Sequence, residues 1–205
     1  MGNFQLKGKA TTRVAFPQGL FEKRQVKGME GEPKYNAMFL IPKSDTAKVQ
    51  QILEAYNEAF KDLQGKGFKG KSIASIDKKN NCLIDGDVWA DEQEGKEQFR
   101  NHYVLRVASK NFRPLVYDLQ QRVILNGKPW TGAGAVDPLN VSDETLADGD
   151  HVIINISFWT YCNPTASGIG CNIHAVVRVA SGEAIGGASN NITDYITLDP
   201  MEDYM

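Results

Sequence analysis

The fold is decided by residues 150–162, DHVIINISFWTYC. Every second residue in the middle of this stretch is apolar, which is the pattern of a strand with one face in the core. Those apolar residues are Val152, Ile154, Ile156 and Phe158. After a turn at 163–168, residues 170–179 (GCNIHAVVRV) alternate again. We therefore predict a β-hairpin with one apolar face and one solvated face.

Strict alternation assigns each side chain of this hairpin to a face. Trp159 and Tyr161 fall on the solvated face of the first strand, and His174 and Arg178 fall on the solvated face of the second. The residues expected to point inward on the second strand are Cys171, Ile173, Ala175, Val177 and Val179.

Further strands are predicted between the N-terminus and the hairpin. Residues 6–16, 34–42 and 102–110 show apolar alternation, and shorter strands are expected at 116–117 and 122–125. The outward positions of the alternating strands are basic, so the solvated surface is expected to carry positive charge.

One amphipathic helix interrupts these strands. Ser44 or Asp45 is expected to cap it, and Gly65 is expected to end it. Its apolar positions follow helical spacing and are Val49, Ile52, Leu53, Tyr56, Phe60 and Leu63.

This order of elements favours a mainly β protein, built as a small closed or partly closed barrel with one interposed helix and extended loops. We expect one folded domain over residues 1–187 and a flexible acidic tail over 188–205. Residues 193–205 contain four acids and no base. The acids are Asp194, Asp199, Glu202 and Asp203.

The composition is that of a soluble globular chain. Of its 205 residues, 41% are hydrophobic and 23% are charged. No apolar run approaches the ~20 residues that span a bilayer, and no secretory signal is readable, so we expect a cytoplasmic protein without a membrane partner. Cys82, Cys162 and Cys171 form no C-x-x-C pair and are expected to be reduced thiols.

The charge is unevenly distributed along the chain. Residues 1–113 hold 20 Lys and Arg against 14 Asp and Glu, whereas residues 114–205 hold 3 against 11. This asymmetry favours a body that binds a polyanion and an acidic segment that follows it.

Residues 65–72, GKGFKGKS, match the phosphate-binding pattern G-x-x-x-x-G-K-[ST]. That chemistry needs a buried strand before the loop and a helix after it, so that helix N-terminal amides face the phosphate. Here a helix is predicted before the loop and none after it. We therefore expect a basic flexible loop, in which Lys69 and Lys71 can still contact phosphates as point charges.

Two groups of residues contain side chains that can bind metal ions. The stretch 85–94 carries five acids but departs from the calcium-loop pattern, because Trp89 and Lys96 stand where ligands would be needed. Cys162, Cys171 and His174 could suit zinc, but alternation places Cys171 and His174 on opposite faces of one strand. We therefore predict no metal, no cofactor and no catalytic residues.

The remaining candidate is a surface. Trp159 and Tyr161 lie two residues apart on a solvated face, where nucleic-acid bases could stack on them. Phe112 is a third possible stacking residue, and His174 shares the solvated face. Cations from several strands would hold the phosphates. These are Lys7, Lys9, Arg13, Lys34, Arg106, Lys110, Arg113 and Arg178.

The series EPKYNAMFLIPKSD, LIDGDVWAD, HYVLRVASKNFRP and GDHVIINISFWTYCNPTASGIGCNIHAVVRVASGEAIGG, followed by an acidic tail, resembles the bacteriophage single-stranded DNA-binding proteins. The resemblance covers residues 4–190. It implies an OB-fold barrel that binds single strands without strong sequence preference in phage replication, recombination or repair, inside an infected bacterial host. It also implies that the tail acids occupy the DNA groove or recruit replication proteins, and it is compatible with a homodimer.

Two alternatives remain open at this point. One is an enzyme acting on nucleotides or nucleic acid through residues 65–72 or 85–94. The other is a structural protein whose basic face binds an acidic partner protein. Binding to double-stranded DNA also stays open, because phosphate contacts alone do not distinguish single strands from duplexes.

Overall fold

The computed structural model describes residues 4–25, 32–132 and 134–185. Its described part is mainly β. The strands are β1 (Phe4–Gln5), β2 (Arg13–Ala15), β3 (Tyr35–Pro42), β4 (Leu83–Asp85), β5 (His102–Ser109), β6 (Leu115–Tyr117), β7 (Val123–Ile124), β8 (Val141–Ser142), β9 (His151–Cys162) and β10 (Ser167–Ala180). The α-helices are α1 (Thr46–Gly65) and α2 (Gly86–Glu92). Among the described residues, neither helix combines the length with the apolar composition that a bilayer-spanning segment needs.

The strands form one mixed sheet in the order β4-β5-β3-β2-β9-β10-β6-β7-β8, with β1 beside β9. Asn81, just before β4, forms an isolated bridge with Ile169 of β10, and the amide of Cys82 donates to the Ile169 carbonyl at 3.0 Å. These contacts bring the segment before β4 next to β10, so the sheet curls into a partly closed barrel. The predicted mainly β barrel is confirmed, and β6 to β8 extend it from β10.

Helix α1 packs against the apolar face of this sheet. Its Tyr56 meets Phe158 of β9 edge to face, with ring centroids 5.4 Å apart. Asp45 caps the helix by accepting a hydrogen bond from the Lys48 amide at 3.2 Å. The predicted helix and its end at Gly65 are therefore confirmed, and Asp45 rather than Ser44 is the cap.

The strand predicted over residues 6–16 is wrong as a continuous element. Within it only β2 is a strand, β1 ends before it begins, and Gly8 between β1 and β2 has a left-handed φ of 108°. The buried Lys48 side chain donates to the Lys9 carbonyl and forms an ion pair with Asp45 at 3.1 Å. The chain bends here because its carbonyl satisfies a buried ammonium group.

The strict alternation predicted for the second hairpin strand is also wrong beyond Ile173. A register shift lies between Ile173 and Ala175, so His174 is an extra residue relative to β9. Such a bulge exchanges the two faces of the strand. As a result Val176 is buried, and Ala175, Val177 and Val179 are only half-buried.

The acidic stretch near residues 85–94 contains helix α2. Asp85 caps this helix by accepting from the Asp87 amide at 3.0 Å. Strand β8 was not predicted, since its two residues carry no readable periodicity.

Candidate nucleic-acid interface

Trp159 and Tyr161 form an aromatic pair on the outer face of β9. Their ring centroids are 5.4 Å apart and their planes are inclined by 33°. Trp159 is 45% exposed, and Tyr161 is half-buried. The neighbouring side chains of β9 that point inward, among them Phe158, are in the core. The alternation of β9 therefore places both rings where a flat ligand can reach them.

The residues of β10 that lie opposite these rings are glycines. Gly170 pairs with Trp159 and Gly168 pairs with Tyr161 in the antiparallel register. Cross-strand partners point to the same face of a sheet. Because neither glycine carries a side chain, the two rings are bordered by bare backbone on this side.

The segment from Asp77 to Asn81 runs beside the aromatic pair. A Cβ built on Gly168 would lie 2.7 Å from Tyr161 Oη and still closer to the Asn80 carbonyl, which shows how near this segment comes to the ring. Burial raises the pKa of Tyr161, and the nearby Asp77 carboxylate raises it further.

This segment supplies two cations that the sequence reasoning did not select, Lys78 and Lys79. The Lys79 side chain is 74% exposed and lies 3.5 Å from Asp77, and the exposed Lys78 pairs with Glu92. Exposed ion pairs of this kind contribute little, so both ammonium groups can exchange their partner for a phosphate. The available signal was the high lysine content between Gly65 and Asn81.

Arg106 holds this segment in place. Its guanidinium donates to the Lys78 carbonyl at 2.7 Å and to the Asn81 carbonyl. Burial lowers the pKa of Arg106, although nearby ionisable side chains partly offset this effect. The predicted outward cation thus lies at the interface, but its donors are directed at backbone carbonyls.

The basic loop 65–72 reaches the same end of β9. Lys66 donates to the Thr160 carbonyl at 3.1 Å and to its hydroxyl at 2.7 Å. Lys69 and Lys71 of this loop are exposed. The chain leaves the loop through a single 3-10 turn, Ile73–Ser75, which is not the helix that a phosphate-cradling loop needs.

His174 lies farther along the outer face. Its Nε2 is 2.8 Å from the Ser157 hydroxyl, and the imidazole is half-buried. It therefore borders the interface at a greater distance from the aromatic pair.

Four predicted contacts lie where β3 begins and β5 ends. Lys34 is exposed, Lys110 pairs with Glu32 at 2.7 Å, and Phe112 is exposed in the turn after β5. Arg113 is only 5% exposed and donates to the Pro129 carbonyl, so it supports a loop instead of facing solvent.

Arg113 also lies between two aromatic rings. The centre of its guanidinium is 5.5 Å from the Phe21 ring and 5.2 Å from the Trp130 ring. This arrangement stabilises the packing of the 125–132 loop on the barrel.

Arg13 and Arg178 lie at the other end of β9. Arg13 is the cross-strand partner of His151, eight residues and about 26 Å along the strand from Trp159. The expectation that Arg178 points outward is wrong, because the bulge turns it to the inner face. There it donates to Asp150 and Glu144, both at 2.7 Å.

Lys7 and Lys9 are exposed beside the N-terminal end of α1, away from the aromatic pair. The tail acids Asp194, Asp199, Glu202 and Asp203 lie outside the described residues.

The acidic residues before and within α2 have structural partners. Lys43 pairs with Asp85 and Asp87, each at 2.6 Å. Asp87 also accepts a hydrogen bond from the Asn101 amide at 2.7 Å, and the pKa of Asp87 is lowered chiefly by Lys43. Among the described residues no three His, Cys, Asp or Glu side chains are grouped as a metal site.

A family model described as Enterobacter phage Enc34, ssDNA-binding protein, matches residues 6–205. Putative protein p50 of Acyrthosiphon pisum secondary endosymbiont phage 1 is 29% identical over 194 residues, covering 93% of this chain and 92% of that protein. The resemblance predicted from the sequence is thereby confirmed.

Solved structures show the same fold. The single-stranded DNA-binding protein from bacteriophage Enc34 in complex with ssDNA matches with a TM-score of 0.59 and 20% identity, over 85% of this chain and 86% of that one. The single-stranded DNA-binding protein gp2.5 encoded by bacteriophage T7 matches with a TM-score of 0.53 and 11% identity, over 97% of each chain.

Proposed function

Because the chain belongs to the phage family described as Enc34 ssDNA-binding protein, we propose that it binds single-stranded DNA through the outer face of β9 and the segments beside it. The observation that carries this proposal is the pair of Trp159 and Tyr161 on the outer face of β9, with exposed lysines on two segments that reach the same end of this strand. We call this surface the platform. It comprises Trp159, Tyr161, Lys69, Lys71, Lys78 and Lys79.

The aromatic pair accounts for the preference for unpaired strands. Stacking of a base on an aromatic side chain contributes roughly 1–3 kcal/mol, and every base offers a π-face, so sequence matters little. In a duplex the faces of the bases are covered by their neighbours. Rings that lie side by side on a sheet surface therefore favour single strands.

The lysines account for the remaining affinity. Each phosphate that a lysine neutralises releases counterions, and log affinity falls with log salt by ~0.7 per contact on a single strand. Four phosphate contacts from the platform give a slope of about −3.

The protein acts by binding and not by catalysis. This is supported by residues 65–72, which connect α1 to a 3-10 turn, and by Asp85 and Asp87, whose carboxylates bind Lys43. Such binding would protect strands in phage DNA replication, recombination or repair. Recruitment of replication proteins through the tail, and a homodimer, stay predictions.

The test is fluorescence anisotropy with a labelled oligo-dT strand and a labelled duplex of the same length, at several salt concentrations. We expect tight binding of the single strand at low salt, a slope near −3, and weaker binding of the duplex. Absence of single-strand binding at low salt, or equal affinity for the duplex at every salt concentration, would contradict the proposal.

A further inference from the structure

We infer that Gly170 is a positioning residue, which sets the plane of the Trp159 indole so that a base can stack on it. This inference rests on the proposed function, because it concerns the same platform. It adds Gly170 to the residues of the platform. Glycine has no side-chain functional group, and neither the charges nor the aromatic residues of the sequence point to this position.

The indole of Trp159 lies directly over Gly170. A Cβ built on Gly170 would be 2.6 Å from Trp159 Nε1 and closer still to Cε2 and Cζ2. Real Cβ atoms essentially never approach other heavy atoms within 3.0 Å. Any other residue at this position would therefore lift or rotate the indole.

The backbone of Gly170 does not itself require glycine. Its φ is not left-handed, and the three atoms nearest the built Cβ all belong to the Trp159 side chain. Gly168 differs, because its Cβ would collide with the Asn80 carbonyl and so with the main chain. The three nearest contacts thus tie the requirement for glycine at 170 to the position of the indole.

Displacing the indole has a consequence for the whole platform. Trp159 and Tyr161 are 5.4 Å apart, so an indole raised from the sheet also changes its inclination to the tyrosine ring. A base that stacks on one ring would then meet the edge of the other. Gly170→Ala is therefore expected to weaken binding while the charges of the platform stay the same.

The experiment compares Gly170→Ala with the wild-type full chain for affinity and for thermal midpoint. We expect the affinity for oligo-dT to fall at least about fivefold, the loss of one good stacking contact. The thermal midpoint should not fall, because replacing glycine by alanine at a compatible backbone position restricts the unfolded chain.

The chain offers a matched control in Gly132. A Cβ built there would lie 2.6 Å from Trp130 Cε2, so Gly132→Ala also displaces an indole, but one outside the platform. We expect this variant to bind oligo-dT with wild-type affinity. An equal loss in both variants would overturn the inference.

A double-mutant cycle with Trp159→Ala separates positioning from any other effect. With no indole to displace, Gly170→Ala should change the affinity of the Trp159→Ala protein less than twofold. A loss as large as in the wild-type background overturns the inference, and so does a lower thermal midpoint of Gly170→Ala.

If Trp159→Ala weakens binding but Gly170→Ala does not, the inference alone fails. If Trp159→Ala binds like the wild type, the proposed platform fails with it.

Discussion

Arg178 Nε and Asp150 Oδ2 form an ion pair of 2.7 Å at the end of the hairpin, where the Asp150 side chain is 2% exposed. The same guanidinium donates to Glu144 and to the Ser181 hydroxyl. Because Asp150 and Glu144 precede β9, these two ion pairs join β10 to that segment. The cation that alternation assigned to the solvated face is therefore part of the structural framework.

Arg178→Ala is accordingly expected to destabilise the fold and to leave affinity for single strands nearly unchanged. Removing one member of a buried pair leaves the other charge uncompensated, which costs about 3 kcal/mol. Urea denaturation measures the change. Arg24→Ala is the control, because its pair with Glu22 is exposed and should contribute less than about 1 kcal/mol. A large loss of affinity in a stable Arg178→Ala protein would show that Arg178 takes part in binding single strands.

Trp159→Ala should weaken binding to oligo-dT about fivefold to 100-fold without lowering stability by more than about 1 kcal/mol. The ring is exposed, so its removal opens no cavity. Anisotropy titration and thermal denaturation measure the two quantities. Leu139→Ala removes another exposed apolar side chain and should leave affinity unchanged. Unfolding of the Trp159→Ala protein would show that the ring supports the core.

Lys79→Ala should reduce the salt dependence of binding by ~0.7 in the log–log slope, as expected for one phosphate contact. Lys128→Ala is the matched control, since Lys128 also pairs with a carboxylate on the surface, Glu22 at 2.6 Å, but lies outside the platform. Affinity measured at four or more salt concentrations gives both slopes. Equal slopes for the two variants would show that Lys79 makes no phosphate contact in the platform.

Asp118 should contribute to the loss of stability in acid. Its burial raises the pKa, but hydrogen bonds from Ser142 and Arg122 outweigh this effect and lower the pKa below its ordinary value of 3.8. A lowered pKa means that the folded state binds the proton less readily than the unfolded chain. The stabilisation is present above the ordinary pKa and is lost as the pH falls through the lower folded-state pKa.

The free energy of unfolding of Asp118→Asn should therefore vary less with pH than that of the wild type between about pH 5 and pH 2. Urea denaturation across this range measures the dependence. Asp143→Asn is the control, because the exposed Asp143 lies 4.0 Å from the same Arg122. An unchanged pH dependence in Asp118→Asn would show that this carboxyl group does not cause the loss of stability in acid.

One of the three thiols should react in the native protein. Burial raises the pKa of Cys82 to about 12 and also raises the pKa of Cys171, so both stay protonated and covered. Cys162 is only half-buried. A thiol titration with a chromogenic disulfide should find one fast group in buffer and three in urea, since the thiolate is the reactive form. Fast reaction of all three in buffer would contradict the buried placement.

Local patterns were sufficient for the principal elements. The apolar spacing of α1, the strand at 34–42 and the alternation of β9 depend only on neighbours in the chain, so β9 and its outward Trp159 could be predicted. The same reasoning failed at residues 6–16, because the bend there satisfies the buried Lys48, which lies about 40 residues farther along the chain.

By itself, the sequence determined that this is a mainly β chain with one long helix, an exposed aromatic pair and a basic N-terminal half. The tertiary structure alone decided which Lys and Arg side chains have partners within the protein and which remain available to a ligand. The bulge at His174 places Arg178 on the other face of its strand. The guanidinium groups of Arg106 and Arg113 donate hydrogen bonds to backbone carbonyls that are distant in the sequence. The reason is that periodicity fixes the direction of a side chain relative to its neighbours, whereas the partner of a long charged side chain depends on which other segments the fold brings within reach.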